Sequence, residues 1–366
     1  MLILDIPVIA ITGSAGKTTT KEMIAAILHT RWNIFKSSLN HNITSYTRKY
    51  AKQITSLHQA AVLEYGMTRK GAIRQHCRII QPNMGVITNV GSAHIGHFGG
   101  SIRMLAQAKS ELIENMKPGA LLFINADDEN SKLLKLSGFT GKVIRIGIIR
   151  PAQVMAKHIH YSPQGMSFMV KLGHKDHSFF IPAFGGHNVY NALYAIAVAC
   201  ELGFTPQEIA NGLRTFNRPR RRLHFKPGRN GITVIDDSYS SNPQALKSAI
   251  EVLINVGEAP RIVVLGDMLE LGSVTNKKHK EIGKYLADKN IQFLCTLGTK
   301  SALIGSESVA NGFDPNKVLH FTSRKDLHEH LAKIIKSGGT VLVKGSHTSN
   351  MRITADFLTK ARKVKN

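Results

Sequence analysis

One stretch decides the fold of this chain, and it reads Val8-Ile9-Ala10-Ile11-Thr12-Gly13-Ser14-Ala15-Gly16-Lys17-Thr18-Thr19. Its apolar, β-branched start predicts a buried strand, and the apolar spacing between Met23 and Leu28 predicts a helix directly after it. Between the two, glycines allow backbone N–H groups to turn toward an anion, and the helix N-terminus adds unpaired donors. The stretch therefore predicts a phosphate-binding loop.

The residue types in this loop suit a nucleotide and a divalent cation. Lys17 can reach the outer phosphates, and Thr18 can place its hydroxyl on Mg²⁺. The usual pattern G-x-x-x-x-G-K-[ST] begins with glycine, whereas Thr12 stands at that position here, so the loop has the shorter form T-G-x-x-G-K-T. The other interpretation is a glycine turn beside a surface lysine, and the strand before and the helix after disfavour it.

The composition indicates a protein of enzyme size with a high positive charge. A length of 366 residues suggests two domains, and 43% hydrophobic residues can fill their cores. The net charge of +24 fits nucleic acid, an anionic surface or an anionic substrate, but the basic residues are scattered and no nucleic-acid-binding signature is found. We therefore expect no nucleic acid partner. Three isolated cysteines indicate the cytoplasm, and the apolar runs are too short for membrane insertion.

Short apolar runs alternate with amphipathic stretches along the chain. This alternation predicts an α/β fold with a mainly parallel sheet and helices on both faces. The predicted strands are residues 33–35, 60–65, 84–88, 120–124, 143–148, 232–235, 261–265, 292–296, 318–320 and 340–343. Residues 153–182 instead predict hairpins, with short strands at residues 165–170 and 177–181. A basic segment around residue 218 marks a boundary, so we expect a P-loop ATPase domain at residues 1–217 and a Rossmann-like α/β domain at residues 218–366.

Eight motifs occur in the order that is typical of one enzyme family. After the phosphate loop come LEYGM at residues 63–67, TNVGSAH at 88–94, AQAKSE at 106–111, GHNVYNAL at 186–193, DSYSSNP at 237–243, VLGDMLELG at 264–272 and VLVKGS at 341–346. With these motifs the chain resembles the Mur ligases, the ATP-dependent amide-forming enzymes of peptidoglycan assembly. The last segments resemble the branch of that family that adds D-alanyl-D-alanine.

The resemblance implies ATP, Mg²⁺ and an acyl-phosphate intermediate. A substrate carboxylate attacks the γ-phosphate of ATP, and an amine then attacks the acyl phosphate to form an amide. The resemblance makes Lys17, Glu64, His94 and Lys109 catalytic. It makes Thr18, Glu64, His94 and Lys109 the Mg²⁺ ligands, with Lys109 carbamylated. It places at the ATP the residues Gly13, Ser14, Ala15, Gly16, Lys17, Thr18, Thr19, Asn89, His187, Asn188, Arg222 and Asp237.

The remaining site residues concern the carboxylate and the incoming amine, which are small molecules such as amino acids or dipeptides. The resemblance suggests for them Asn40, Asn42, Asn242, Asp267, Lys344, Ser346 and His347, and Asp267 can pair with an ammonium group. Plainer interpretations stay open for several residues. Lys109 fits a surface lysine on an amphipathic helix, Glu64 a solvated carboxylate at a strand end, and Asn188 a helix N-cap.

The chain also departs from the family pattern. Relatives of this branch carry an N-terminal domain that holds the uridine nucleotide, whereas the phosphate-loop strand here begins close to Met1. We expect that domain to be absent and a protein partner to replace it. A polyglutamate- or cyanophycin-type peptide synthetase is the second ligase hypothesis. A nucleic-acid-associated P-loop ATPase and a non-catalytic scaffold are hypotheses from other classes.

Overall fold

A nine-stranded sheet organises the first part of the chain. In the computed structural model, which describes residues 2–39, 41–91, 93, 95–162, 164–217 and 221–359, its strands run in the order β2-β3-β1-β4-β5-β6-β7-β8-β9. Neighbouring strands from β2 to β7 are parallel, and β7, β8 and β9 are antiparallel. The strands are β1 (Val8–Thr12), β2 (Ile34–Lys36), β3 (Ala60–Glu64), β4 (Met84–Ile87), β5 (Leu121–Asn125), β6 (Lys142–Gly147), β7 (Val154–Ser162), β8 (Gly165–Leu172) and β9 (Lys175–Ile181).

Helices cover both faces of this sheet. They are α1 (Lys17–Leu28), α2 (Thr44–Gln53), α3 (Ala72–Ile79), α4 (Ile102–Glu114), α5 (Gly186–Glu201) and α6 (Pro206–Thr215), with 3-10 turns at Ile95–Phe98 and Glu129–Leu133. Successive side chains of β1 point to opposite faces. Ile9 and Ile11 join the core built with α1, α5 and α6, whereas Val8 and Ala10 join the core built with α2, α3 and α4. Burying a side chain such as Ile11 contributes roughly 1.5–3 kcal/mol.

A six-stranded sheet organises the second part, in the order β10-β11-β15-β12-β13-β14. Only β10 is antiparallel to its neighbour among these described strands. The strands are β10 (His224–Pro227), β11 (Thr233–Asp237), β12 (Arg261–Gly266), β13 (Phe293–Leu297), β14 (Val318–Phe321) and β15 (Thr340–Lys344). The helices are α7 (Pro243–Val256), α8 (Thr275–Leu286), α9 (Ala302–Ala310), α10 (Arg324–Ile334) and α11 (Arg352–Thr359), with 3-10 turns at Arg229–Gly231, Gly272–Val274, Pro315–Lys317 and His347–Ser349.

The chain separates into two compact units, Met1–Pro219 and Arg220–Asn366. In the second unit, Val264 and Val343 of the central strands pack with Leu331 of α10 and Met351 and Leu358 near the end of the described chain. No helix within the described ranges combines the length and the apolar character needed to cross a membrane.

The α/β fold with mainly parallel sheets is confirmed, and each of the twelve strands predicted by range lies within two residues of an observed one. Two strands carried no predicted range. In β7 the alternation of polar and apolar residues is broken by a register shift between Lys157 and His160, where His158 has a φ of 48°. Strand β10 has only four residues and ends in Pro227. Both lack the uninterrupted apolar run that marks the parallel strands.

Residue His76 makes the stability of the first unit depend on pH. Its Nδ1 lies 2.6 Å from Thr47 Oγ1, and its ring stacks on Tyr65 with 4.7 Å between centroids. Burial lowers the pKa of His76 to about 4, because the charged imidazolium loses its hydration. In the unfolded chain the pKa of a histidine is near 6.5. Between pH 6.5 and pH 4, His76 is therefore protonated in the unfolded state and neutral in the folded state.

We therefore expect His76 to make the folded state less stable as the pH falls. The free energy of unfolding of the wild type, measured with urea, should fall by about 2 kcal/mol between pH 7 and pH 5. A His76→Phe variant should not show this fall. The phenyl ring keeps the stacking on Tyr65 but cannot be protonated. A matched His160→Phe variant at an exposed position should retain the wild-type loss. Equal pH dependence in the wild type and His76→Phe contradicts the prediction.

Candidate active site

The phosphate loop connects β1 to α1 and lies at the carboxyl end of β1, an inner strand of its sheet between β3 and β4. Two glycines make its path possible, Gly13 with a φ of 146° and Gly16 with a φ of 84°. A Cβ on Gly13 would lie 1.8 Å from Thr88 Oγ1, and one on Gly16 would lie 2.4 Å from Asn191 Oδ1. Ligands in open α/β sheets bind at this edge, beside the point where strand order reverses.

Residues that follow β4 hold the loop in place. The backbone N–H groups of Ser14 and Ala15 donate to Asn89 Oδ1 at 3.0 and 2.9 Å. The Thr88 hydroxyl donates to the Ala15 carbonyl, and the Ser14 hydroxyl donates to the Gly91 carbonyl at 2.9 Å. Asn89, predicted to contact ATP, thus lies directly against the loop amides that are suited to phosphate.

Gly13 should tolerate no side chain. We expect Gly13→Ala to lower the free energy of unfolding by about 3 kcal/mol, because the new methyl group meets both Thr88 and a positive φ. A matched Gly71→Ala variant also has a positive φ, but nothing lies within 4 Å of its Cβ position, so it should lose about 1 kcal/mol. Urea denaturation of both variants measures the difference, and equal losses would contradict the steric argument.

Glu64, the last residue of β3, lies beside the first turn of α1. Thr18 Oγ1 donates to its Oε2 at 2.8 Å, and Asn42 Nδ2 donates to its Oε1 at 2.8 Å. The backbone N–H of Glu64 donates to Ser37 Oγ at 3.0 Å. Glu64 is buried, so the interpretation as a solvated strand-end carboxylate is wrong.

Two lysine side chains lie at or near the loop. Lys17 Nζ donates to the Gly13 carbonyl at 2.7 Å. Lys109, in the middle of α4, has only 1% of its surface exposed, so the interpretation as a surface lysine is wrong. Burial holds the pKa of Lys109 well below its usual range; the positive charge of Lys17 lowers it further, and Asp128 opposes the shift.

The donor set fits one part of a magnesium site. Mg²⁺ prefers oxygen ligands, and the Thr18 hydroxyl and the Glu64 carboxylate bring two of them to the phosphate loop. Lys109 fits only as a carbamate, because an ammonium group would repel the cation. The described part of the chain contains no group of three or more His, Cys, Asp or Glu residues that could hold a metal ion. Two predicted site residues, Asn40 and His94, lie outside the described residues.

Two acidic residues that the sequence analysis missed stabilise this edge of the sheet. Asp128 Oδ2 accepts from the backbone N–H of Val90 at 2.7 Å, next to Asn89. Asp127 accepts from the N–H groups of residues 148–150 and from the Tyr190 hydroxyl at 2.7 Å. These contacts, mostly from N–H groups, lower the pKa of Asp127 although partial burial opposes them. The signal available in the sequence was a pair of consecutive acidic residues two positions after the end of β5.

The first turn of α5 carries His187 and Asn188, which were predicted to bind ATP. Gly185 is the N-cap of this helix, so the interpretation of Asn188 as the cap is wrong. Asn188 Nδ2 donates to the Phe184 carbonyl at 2.7 Å, and its Oδ1 accepts from Asn191 Nδ2 at 3.0 Å. Asn191 in turn accepts from Thr20 Oγ1 of α1 at 3.1 Å. This chain of amides connects α5 to the helix that begins at the phosphate loop.

The second unit brings most of its predicted site residues to the carboxyl edge of its own sheet. Asp237 ends β11 and accepts from Lys344 Nζ at 2.6 Å, and Lys344, which ends β15, also donates to the Ser240 carbonyl at 2.7 Å. Burial raises the pKa of Asp237, and the positive charges of Lys344 and Arg222 oppose the shift. The Arg222 guanidinium lies 4.8 Å from the centroid of the Tyr239 ring.

The other predicted residues of this edge have local partners. Asp267 Oδ1 accepts from the N–H groups of Lys300 and Ser301 at 3.1 and 2.7 Å, and the Asp267 carbonyl accepts from the N–H of Ser346 at 3.0 Å. Asn242 caps α7 by accepting from the N–H of Ala245 at 2.9 Å. His347 follows Ser346 in the connection between β15 and α11.

Comparison with known proteins assigns the family. Residues 11–199 match the model of the Mur ligase middle domain, and residues 221–347 match that of the Mur ligase, glutamate ligase domain. The chain is 33% identical over 340 residues to a UDP-N-acetylmuramoyl-tripeptide–D-alanyl-D-alanine ligase of Bacillus subtilis, covering 93% of this chain and 73% of that protein. It is 30% identical to the Escherichia coli enzyme of the same name, covering 94% and 75%.

A solved structure supports the same assignment. The crystal structure of MurF from Acinetobacter baumannii superposes with a TM-score of 0.87 and 28% identity, covering 96% of this chain and 76% of that chain. The matches run through the phosphate loop, Glu64 and Lys109 in the first unit and through Asp237 and Lys344 in the second. The chain belongs to the Mur ligase family and is an ATP-dependent, amide-bond-forming ligase.

Proposed function

We propose that this ligase joins the free carboxylate of UDP-N-acetylmuramoyl-tripeptide to the amino group of D-alanyl-D-alanine. The proposal rests on the phosphate loop, where the Thr18 hydroxyl donates to Glu64, and on the buried Lys109. The chain is also similar over most of its length to UDP-N-acetylmuramoyl-tripeptide–D-alanyl-D-alanine ligases. The product is an amide, with ADP and inorganic phosphate.

The proposed reaction has two bond-forming steps. A carboxylate oxygen attacks the γ-phosphorus of ATP, and ADP leaves with the electrons of the broken P–O bond. The neutral amine then attacks the acyl carbon, phosphate leaves, and one proton is released. Both steps bring negative groups together, so stabilisation by cations and N–H donors lowers the barrier. In this proposal Lys17 and the amides of residues 13–18 hold the β- and γ-phosphates, and the N–H groups of Ser14 and Ala15 exchange Asn89 Oδ1 for phosphate oxygens when ATP binds.

Mg²⁺ would be held by Thr18 and Glu64, with His94 and carbamylated Lys109 at a second position, and when bound it neutralises phosphate charge. Asn42, which donates to Glu64, and Asn40 are proposed contacts of the carboxylate substrate. His187, Asn188, Arg222 and Asp237 are proposed for the adenosine and phosphate portions of ATP. Asn242, Asp267, Lys344, Ser346 and His347 are proposed for the incoming dipeptide.

We further propose residues 1–217 as the ATP-binding domain and residues 218–366 as the domain for the amine. The cytoplasmic location expected from the cysteines and the protein partner expected from the family comparison stay predictions. The relatives found by comparison are ligases that act on small molecules. This favours the ligase over the alternative of a nucleic-acid-associated ATPase.

The test measures phosphate release from Mg-ATP by the purified chain, with each substrate omitted in turn, and identifies the product by mass. A new amide that requires ATP, the tripeptide and the dipeptide together supports the proposal. ATP turnover without that amide, but with an amide from glutamate-type substrates, favours the polyglutamate or cyanophycin alternative. Turnover that is stimulated by RNA or DNA and falls steeply with salt favours the ATPase alternative.

A further inference from the structure

One buried lysine near the phosphate loop is not used by the proposed chemistry. Lys21 lies one helical turn after Lys17 on α1, and none of its surface is exposed. Its Nζ donates to the Ser37 carbonyl at 2.8 Å and to the Leu39 carbonyl, and lies 3.2 Å from Glu22 Oε1. An ammonium group has three hydrogens to donate, so these three oxygens satisfy it.

The segment that Lys21 binds leads directly to Glu64. Ser37, whose carbonyl accepts from Lys21, also accepts from the backbone N–H of Glu64 through its hydroxyl at 3.0 Å. Further along, Asn42 Nδ2 donates to Glu64 Oε1, and the Asn42 carbonyl accepts from the N–H of Gly66 at 2.9 Å. The segment therefore contacts Glu64 at both its backbone and its carboxylate.

The conformation of this segment needs a restraint. Leu39 has a φ of 44°, a left-handed conformation that costs a residue other than glycine of order 1–3 kcal/mol, and its side chain is 70% exposed. The Leu39 side chain therefore supplies little packing energy, whereas the Leu39 carbonyl is bound by Lys21. Burial lowers the pKa of Lys21, and the carboxylates of Glu22 and Glu64 oppose that shift. Burying a charged lysine destabilises the folded state unless its partners compensate. A buried lysine at this position is therefore consistent with a specific role.

We propose that Lys21 is a positioning residue, which holds the backbone of Ser37 and Leu39 against α1 so that Ser37 and Asn42 orient Glu64 toward Thr18 and the proposed Mg²⁺ position. This inference rests on the proposed function, because it concerns the Mg²⁺ position assigned there. Groups that orient metal ligands in this way usually change metal affinity or activity 10- to 100-fold when they are removed.

Lys36 offers a matched control. Its Nζ binds Glu22 Oε2, the other oxygen of the carboxylate that Lys21 contacts, but its side chain is one-third exposed. Lys21→Met and Lys36→Met each remove one lysine charge and one partner of Glu22. Only Lys21→Met also removes the donor from the carbonyls of Ser37 and Leu39.

The test titrates Mg²⁺ into the full chain with ADP and follows nucleotide binding by calorimetry. In Lys21→Met the Mg²⁺ concentration for half-maximal enhancement of ADP binding should rise about ten-fold, while Lys36→Met stays within about two-fold of the wild type. A Lys21→Met protein that melts at a lower temperature but keeps the wild-type Mg²⁺ dependence overturns the proposal and leaves Lys21 a structural role.

A second variant covers the case in which Lys21→Met fails to fold. Ser37→Ala removes the hydroxyl that accepts from Glu64 and leaves the carbonyl that binds Lys21, so it should shift the Mg²⁺ dependence in the same direction. Unchanged Mg²⁺ dependence in Ser37→Ala also overturns the proposal. If the wild type binds Mg-ADP but forms no amide, the proposed substrates are wrong. The Mg²⁺ titration still tests the role of Lys21 in that case.

Discussion

Replacing Lys17 with methionine should lower the rate of phosphate release about 10³-fold at saturating substrates. Lys17 is the first residue of α1, and its Nζ lies 2.7 Å from the Gly13 carbonyl inside the phosphate loop. As the γ-phosphoryl group moves, negative charge shifts onto the oxygens that this ammonium faces in our proposal. Removal of one such electrostatic contact typically costs 10²–10³ in kcat, and the charge of the lysine places the expected loss at the upper end.

The control for this variant is Lys132→Met. Lys132 lies in the same unit but has a side chain 69% exposed and paired with Glu129, so the same loss of charge should leave turnover within about two-fold. The measurement is steady-state phosphate release together with the melting temperature of each variant. Wild-type turnover in a folded Lys17→Met protein contradicts the role of this loop in ATP chemistry.

The sequence predicted the parallel strands well because they are buried on both faces. Val8–Thr12 and Thr340–Lys344 are continuous runs of buried residues, and such runs carry a strong apolar signal. Strand β7, which is parallel to β6 and antiparallel to β8, was harder to predict, because it is half exposed and its register shifts beside His158. Tertiary contacts, rather than local sequence preference, fix such a strand.

The candidate site was predictable where a motif fixes the backbone. The glycines at positions 13 and 16 and the position of Glu64 at a strand end follow from local pattern alone. The pairing of Asp237 with Lys344 joins residues 107 positions apart, and the contact of Lys21 with Ser37 joins a helix to a separate segment. No local pattern encodes such contacts, because they depend on which strands become neighbours in the sheet.

Lys109 should prove to carry a carbamate, and Lys109→Arg should lower turnover at least about 10²-fold. The burial of Lys109 and the charge of Lys17 favour its neutral amine, which is the form that attacks CO₂. A new N–C bond then forms, one proton is released, and the group changes from a potential cation to an anion. An arginine keeps the positive charge and cannot make this change. Loss of a metal-binding or metal-orienting group costs this much in comparable sites.

The measurement is carbon NMR of the protein equilibrated with ¹³C-labelled bicarbonate, paired with turnover in buffer freed of CO₂. A carbamate signal should appear in the wild type and in Lys135→Arg, a control at a lysine 63% exposed, and should be missing in Lys109→Arg. Activity should fall when CO₂ is removed and return with bicarbonate. Two ammonium groups beside one Mg²⁺ would repel it, whereas a carbamate on Lys109 attracts it. Full activity of Lys109→Arg without CO₂ would mean that Thr18 and Glu64 suffice to hold the metal.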